Sequence, residues 1–211
     1  SGGPGAAKVL AAAESHAAAD RLADALKEVI PNGEEAVLRI RWVASEASAA
    51  PCEAAARFGP EGGWQNLERR LAAARVVVST CAGAGHELLR TAQFGWVLVD
   101  EATQATEPAA LTAVCCPGAR SSGRLCLLGD PLQLPPTVLS PAAQEFGLGA
   151  SLFERLADQG TRRLLLDVQF RMHPSLSEFP ASRFYGGLLR DAPSADAEAT
   201  WPPVLGLAWP A

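Results

Sequence analysis

Two adjacent carboxylates follow an unbroken apolar run in Val97-Leu98-Val99-Asp100-Glu101-Ala102-Thr103-Gln104. A short, continuously apolar run is what a strand buried on both faces of a parallel sheet looks like. Ligands of such sheets sit beyond the carboxyl ends of the strands. A carboxylate there, Asp100, can hold Mg²⁺ directly or through water. Its neighbour Glu101 can take a proton from an attacking water as general base. Together they supply what hydrolysis of a nucleoside triphosphate requires once the nucleotide is bound. A strand end with a solvated acidic turn would read the same way, so this motif alone leaves both readings open.

Two further segments have comparable content. In Leu127-Leu128-Gly129-Asp130-Pro131-Leu132-Gln133-Leu134-Pro135-Pro136 a second apolar run ends in Gly-Asp. Gly129 allows close backbone approach, and Gln133 can donate to a phosphate oxygen or orient a water. Pro135 and Pro136 stiffen the exit and are expected to expose a flat surface. In Gln169-Phe170-Arg171-Met172-His173-Pro174 an aromatic stands beside an arginine. Such a pair can stack on a base and contact a phosphate; a core Phe170 next to a surface Arg171 is the plainer alternative.

The elements that must position these residues alternate between apolar strands and amphipathic helices. Strands are expected at Val9–Ala13, Val37–Trp42, Val76–Val78, Trp96–Val99, Leu125–Leu128 and Leu164–Leu166. Between them, helical spacing predicts helices over His16–Ile30, Trp64–Ala74, Ser151–Gln159 and His173–Arg183. Pro31-Asn32-Gly33 stops the first of these, and Ser151 with Glu154 forms a capping-box pattern ahead of Gly160. Residues 44–63, rich in Ala, Gly, Pro and Glu, read as a loop or reduced insertion, and the tail from Asp191 as loop with a short strand near Val204-Leu205. The fold class is α/β: a parallel sheet covered by helices.

With 211 residues and 48% hydrophobic content, the chain can bury a core and is not disordered throughout. No apolar run nears the roughly 20 residues that span a bilayer, so no membrane partner is expected. The chain does not begin with Met, and it reads as a piece of a longer protein. Five cysteines with no C-x-x-C pair argue against zinc and for buried free thiols in a reducing compartment. The net charge of −5 does not announce a nucleic-acid binder, although a narrow channel can grip phosphates regardless. Lys8 and Lys27 are the only lysines, so the basic residues are nearly all arginine, which suits bidentate phosphate contact but also follows from a GC-rich genome.

In order and spacing these pieces resemble the superfamily 1 helicases of the nonsense-mediated decay, or up-frameshift, type. Asp100 to Pro108 looks like the family's motif II, Gly129 to Pro136 like motif III, and Val168 to Pro174 like motif IV. Ser79-Thr80-Cys81-Ala82-Gly83-Ala84-Gly85 resembles a strand-to-loop element that touches nucleic acid, and Ala13 to Asp20 resembles motif Ia. Leu148 to Leu156 and Phe179 to Tyr185 match as well, so the resemblance covers about residues 8 to 205.

The resemblance implies a P-loop NTPase with RecA-like lobes. Residues 1–140 would form lobe 1 and residues 141–211 the beginning of lobe 2. It implies ATP and Mg²⁺ as cofactors and RNA or single-stranded DNA as partner, translocated 5′ to 3′. Protein partners of RNA decay and a cytoplasmic location, with the nucleus as alternative, follow from the same likeness. Asp100 would hold the metal, Glu101 would activate water, and Gln104 and Gln133 would sense the γ-phosphate. Phe170 would pack on adenine and Arg171 would reach the γ-phosphate. Ser15, Thr80, Gly83, Pro135 and Pro136 would line the strand channel.

The departures are specific. Glu14 and His16 replace the usual Pro and Asn of motif Ia, and an acidic Glu14 would repel a phosphate backbone. Phe170 stands where Tyr is common. No G-x-x-x-x-G-K-S/T occurs; in the family that loop lies just upstream of motif Ia. The expectation is therefore that residues 1–211 alone neither hydrolyse ATP nor unwind. The rival readings are a non-catalytic remnant acting as a binding module, and a P-loop NTPase unrelated to nucleic acid.

Overall fold

The computed structural model describes residues 7–41, 63–116, 118 and 123–193. They fall into two compact units divided between Thr161 and Arg162. Residues 141–161 thus pack with the first unit, whereas the sequence places the start of the second lobe at 141.

The first unit is built on five strands: β1 (Lys8–Ala13), β2 (Val37–Arg39), β3 (Val76–Thr80), β4 (Phe94–Asp100) and β5 (Leu125–Leu127). All neighbours are parallel, in the order β2-β3-β1-β4-β5. Parallel neighbours need crossovers rather than hairpins. The intervening chain carries α1 (His16–Val29), α2 (Gly33–Ala36), α3 (Gly63–Ala73) and α4 (Glu107–Val114); α5 (Pro141–Glu145) and α6 (Leu152–Asp158) follow β5.

Side-chain alternation divides the core into two layers. Leu10 and Ala12 of β1 join Leu38, Val77, Phe94, Val97 and Val99 beneath Leu67 and Leu71 of α3. Ala11 and Ala13 join Val37, Val76 and Val78 beneath Ala19, Ala23, Leu22 and Leu26 of α1. Helices on both faces explain why the strands read as unbroken apolar runs. The covered α/β sheet is the fold class the sequence predicts.

Local chemistry sets the element ends. The Ser15 hydroxyl accepts the Ala18 N–H at 3.1 Å and caps α1. The chain then reverses through Asn32, at φ 57°, into Gly33, where an added Cβ would lie 2.0 Å from the Lys27 carbonyl oxygen. Only glycine fits there, so Pro31-Asn32-Gly33 ends one helix and immediately starts the short α2. Asp20 holds Arg39 at 2.8 Å and Arg41 at 3.2 Å, tying α1 to the end of β2. Around α6 the predicted capping box is complete, and Gly160 follows at φ 81°.

The second unit contains β6 (Val168–Gln169) paired in parallel with β7 (Arg190–Asp191), with α7 (Pro174–Phe184) between them. The expected strand at Leu164–Leu166 does not form: residues 161–167 are irregular, and the three leucines are 80%, 53% and 81% exposed. A run buried on both faces needs a neighbour on each side. Among the described residues the second sheet has two strands, and β7 pairs with Val168–Gln169 instead. The expected loop at 44–63 and strand near Val204-Leu205 lie outside the described residues, apart from Gly63, which opens α3. Among the described residues no helix is long and apolar enough to cross a membrane.

Candidate functional site

The parallel sheet brings its strand ends to one edge. Ala13 at the end of β1 is in register with Thr80 of β3 on one side and Asp100 of β4 on the other. Val99 is in register with Leu127 at the end of β5. The strand ends and the loops that follow therefore lie side by side and carry Ser15, Thr80 and Gly83, Asp100 to Gln104, and Gly129 to Pro136. These are the positions the sequence singles out in the first unit, gathered at the carboxyl edge where ligands of such sheets bind.

The turn after β4 is tight and unusual. Glu101 has φ 50°, a left-handed conformation that costs a side-chain-bearing residue about 1–2 kcal/mol. Strain of this kind persists only where the surroundings enforce it, and it clusters at functional sites. Here the Ala102 N–H donates to the Leu128 carbonyl at 2.7 Å, and the Gln104 N–H to the Glu101 carbonyl at 2.9 Å. The Gln104 side chain donates from Nε2 to Glu101 Oε2 at 3.1 Å, which orients the half-buried carboxylate. Asp100, also half-buried, sits on the last residue of the strand itself.

The turn after β5 repeats the arrangement. Asp130 accepts the Leu132 N–H at 3.0 Å on one oxygen and Gln133 Nε2 at 2.9 Å on the other. In both turns a carboxylate is held by a glutamine three residues later. The buried Thr103 joins them: its hydroxyl accepts the Asp130 N–H at 3.3 Å. A Cβ on Gly129 would come within 3.0 Å of Thr103 N and Oγ1. Close approach, rather than special dihedrals, is what requires glycine there. Thr103 and the organising role of Asp130 escape the sequence reading. Their only signal is position inside the two motifs, because a buried hydroxyl contact between distant loops leaves no local pattern.

The remaining first-unit positions hold their own loops. Thr80 Oγ1 accepts the Gly83 N–H at 3.0 Å and shapes the 3₁₀ turn Gly83–Gly85. Ser15 is exposed but serves as the α1 cap, and Glu14 beside it is exposed as well. Cys81 is fully buried; desolvation first, and the Glu14 charge second, push its thiol up to about 12. Pro135 is exposed and Pro136 is buried, so Pro135 alone presents the expected flat surface.

In the second unit, Phe170 is 62% exposed and Arg171 is exposed. Gln169 organises their loop. Its Oε1 accepts the N–H groups of Arg171 at 2.9 Å and Met172 at 2.7 Å, and its Nε2 donates to Asp191 at 2.5 Å. Ser177 donates to the same carboxylate oxygen at 2.6 Å, and these two bonds draw the Asp191 carboxyl below the usual range. Gln169, Ser177 and Asp191 are supports that the sequence reading leaves without a role.

Among the described residues no cluster of three or more His, Cys, Asp or Glu could enclose a metal. A lone strand-end carboxylate such as Asp100 suits Mg²⁺, which keeps several waters and is commonly held by one or two carboxylates plus substrate phosphates. The residues present fit that ion in that mode.

Two family profiles, each described as an AAA domain, match residues 61–141 and 148–205. The chain is similar to "Helicase SEN1" of Saccharomyces cerevisiae, with 43% identity over 141 residues, 63% of this chain and 6% of that protein. It is 43% identical over 138 residues to the "Regulator of nonsense transcripts 1 homolog" of Drosophila melanogaster, covering 63% of this chain and 11% of that one. To "ATP-dependent helicase NAM7" of Saccharomyces cerevisiae it is 45% identical over 118 residues, 56% and 12% of the two chains. The chain thus spans a small part of the length of these relatives. With three motifs of helicase type in order on a parallel α/β sheet, the chain is similar to a core segment of the superfamily 1 helicases of the up-frameshift type.

Proposed function

We propose that the full-length protein is an ATP-dependent helicase that couples Mg²⁺-assisted ATP hydrolysis to 5′–3′ movement along RNA or single-stranded DNA. The observation that carries this reading is the strained Glu101 turn, joined through Thr103 to the Asp130–Gln133 turn at the sheet's carboxyl edge. A general base needs a fixed direction toward its water, and the Gln104 bond supplies one. Asp100 is the residue to hold Mg²⁺, which when bound offsets charge on the phosphates. Gln133 and Gln104 are placed in neighbouring loops, where a change at the triphosphate reaches both. Phe170 takes the adenine role and Arg171 the γ-phosphate role. Ser15, Thr80, Gly83 and Pro135 border the nucleic-acid path, with Pro136 stiffening the loop from behind.

Residues 1–161 correspond to a first RecA-like lobe and residues 162–211 to part of a second. The absence of a G-x-x-x-x-G-K-S/T sequence means that residues 1–211 alone lack the backbone cradle a triphosphate requires. The names of two relatives, regulators of nonsense transcripts in Drosophila and Caenorhabditis, favour RNA and partners of RNA decay. A cytoplasmic location, or a nuclear one, accords with that substrate.

The test is nucleic-acid-stimulated ATP hydrolysis by the full-length protein and its Glu101→Gln variant. Loss of a general base lowers kcat by about 10²–10⁴-fold while nucleotide binding survives. Equal kcat in the two proteins would remove Glu101 from the chemistry.

A further inference from the structure

Helix α6 is fastened to α4 by a contact that none of the roles above uses. Arg155 Nε donates to both Glu107 oxygens at 2.9 Å, and Nη2 donates to Oε1 at 2.5 Å. Hydrogen bonding from Arg155 holds the Glu107 carboxyl below the usual carboxylate range, so the pair stays ionised at neutral pH. It is lost only as pH falls through that lowered value.

Beneath this fork runs an apolar seam. Buried Leu152 packs with Ala105 and Ala110, flanked by Leu111 and Leu156. The seam begins close to the chemistry, since Ala105 is four residues, and Glu107 six residues, beyond Glu101. At the far end, α6 closes at Asp158, and Gly160 follows at φ 81° with open space around it. The first unit ends one residue later. α6 is therefore the last element before the chain enters the unit that carries Phe170 and Arg171, and it rests on the segment that leaves the catalytic turn.

Exposed ion pairs add little to stability, and the seam already holds the helix in place. What a planar guanidinium on a carboxylate adds is a single permitted geometry. Leucines sliding over alanines do not set the angle of α6; a two-pronged fork at its centre does.

We propose that Glu107 and Arg155 are positioning residues that register α6 to the Asp100–Gln104 turn, so that displacement of the turn during ATP hydrolysis is passed to the chain entering the second unit. The proposal rests on the helicase reading above and assigns that site its mechanical outlet.

The experiment compares the full-length protein with its Arg155→Ala, Arg155→Lys and Glu107→Gln variants. Arg155→Ala and Glu107→Gln are expected to raise the ATP consumed per base pair unwound by about 5–150-fold, the usual range of coupling between sites. KM for ATP stays within about twofold, because ground-state binding is untouched. Arg155→Lys, which keeps the charge but not the fork, falls between. Hydrogen exchange of the 152–158 amides quickens in Arg155→Ala while the β1 amides are unchanged. An unchanged ATP cost, or a rise in step with faster exchange throughout the first unit, overturns the proposal. If the wild type shows no ATPase that Glu101→Gln removes, the helicase reading fails. The exchange comparison then still decides whether the fork anchors α6, and equal exchange at 152–158 overturns that too.

Discussion

At the residue scale, the first unit spends conformational energy at Glu101. A glutamate at φ 50° is held there by the bond from the Ala102 N–H to the Leu128 carbonyl and by the two bonds from Gln104. The motif's spelling announces two carboxylates; the turn that separates their directions is a property of the fold. Cys81 shows the opposite case, a nucleophilic residue type disarmed by its place. The thiolate is the reactive form, and burial with the Glu14 charge nearby keeps the thiol protonated up to about 12. Treatment of the native protein with iodoacetamide near pH 8 should therefore modify exposed Cys115 and spare Cys81 and Cys116, read by peptide mass mapping. Modification of Cys81 at a rate matching Cys115 would show that the strand end is open rather than packed.

At the element scale, the decisive contact is the closeness of the loops after β4 and β5. Gly129→Ala places a methyl 3.0 Å from the Thr103 backbone nitrogen and hydroxyl, neither of which can move without disturbing its own turn. Overpacking of this kind costs about 1–3 kcal/mol. The expected outcome is a lowered Tm together with lost ATP hydrolysis, measured by calorimetry and steady-state kinetics on the full-length protein. Full activity would mean that the two loops need not touch. All five strands of the first sheet were legible from sequence because burial on both faces removes polar residues from them. Helix α4 was not: Glu107–Val114 reads EPAALTAV, apolar nearly all round, and its packing against both the sheet and α6 leaves no helical period to see. Leu164–Leu166 misled in the other direction, since three leucines in a row carry a strand's composition whether or not a neighbouring strand pairs with them. Within the site, residue types with an evident chemical role could be named in advance. Thr103, Asp130 and Gln169 could not, because their work is done by hydrogen bonds to backbone atoms that only the fold brings near.

At the scale of the whole molecule, the chain carries the motif II and III loops on one compact unit and the motif IV loop on another. An engine that works by closing lobes on a nucleotide gains from this division, since a ligand can shift only an equilibrium between states that differ in how they bind it. With a net charge of −5 over these residues, the proposed grip on nucleic acid would rest on local contacts rather than on overall charge. The most direct test of the motor is duplex unwinding by the full-length protein on substrates with a 5′ or a 3′ single-stranded tail, with ATP and with a non-hydrolysable analogue. The account predicts unwinding from the 5′ tail with ATP alone, abolished by Glu101→Gln. Strand separation that persists with the analogue or in the Glu101→Gln variant, or no unwinding from either tail, would contradict it.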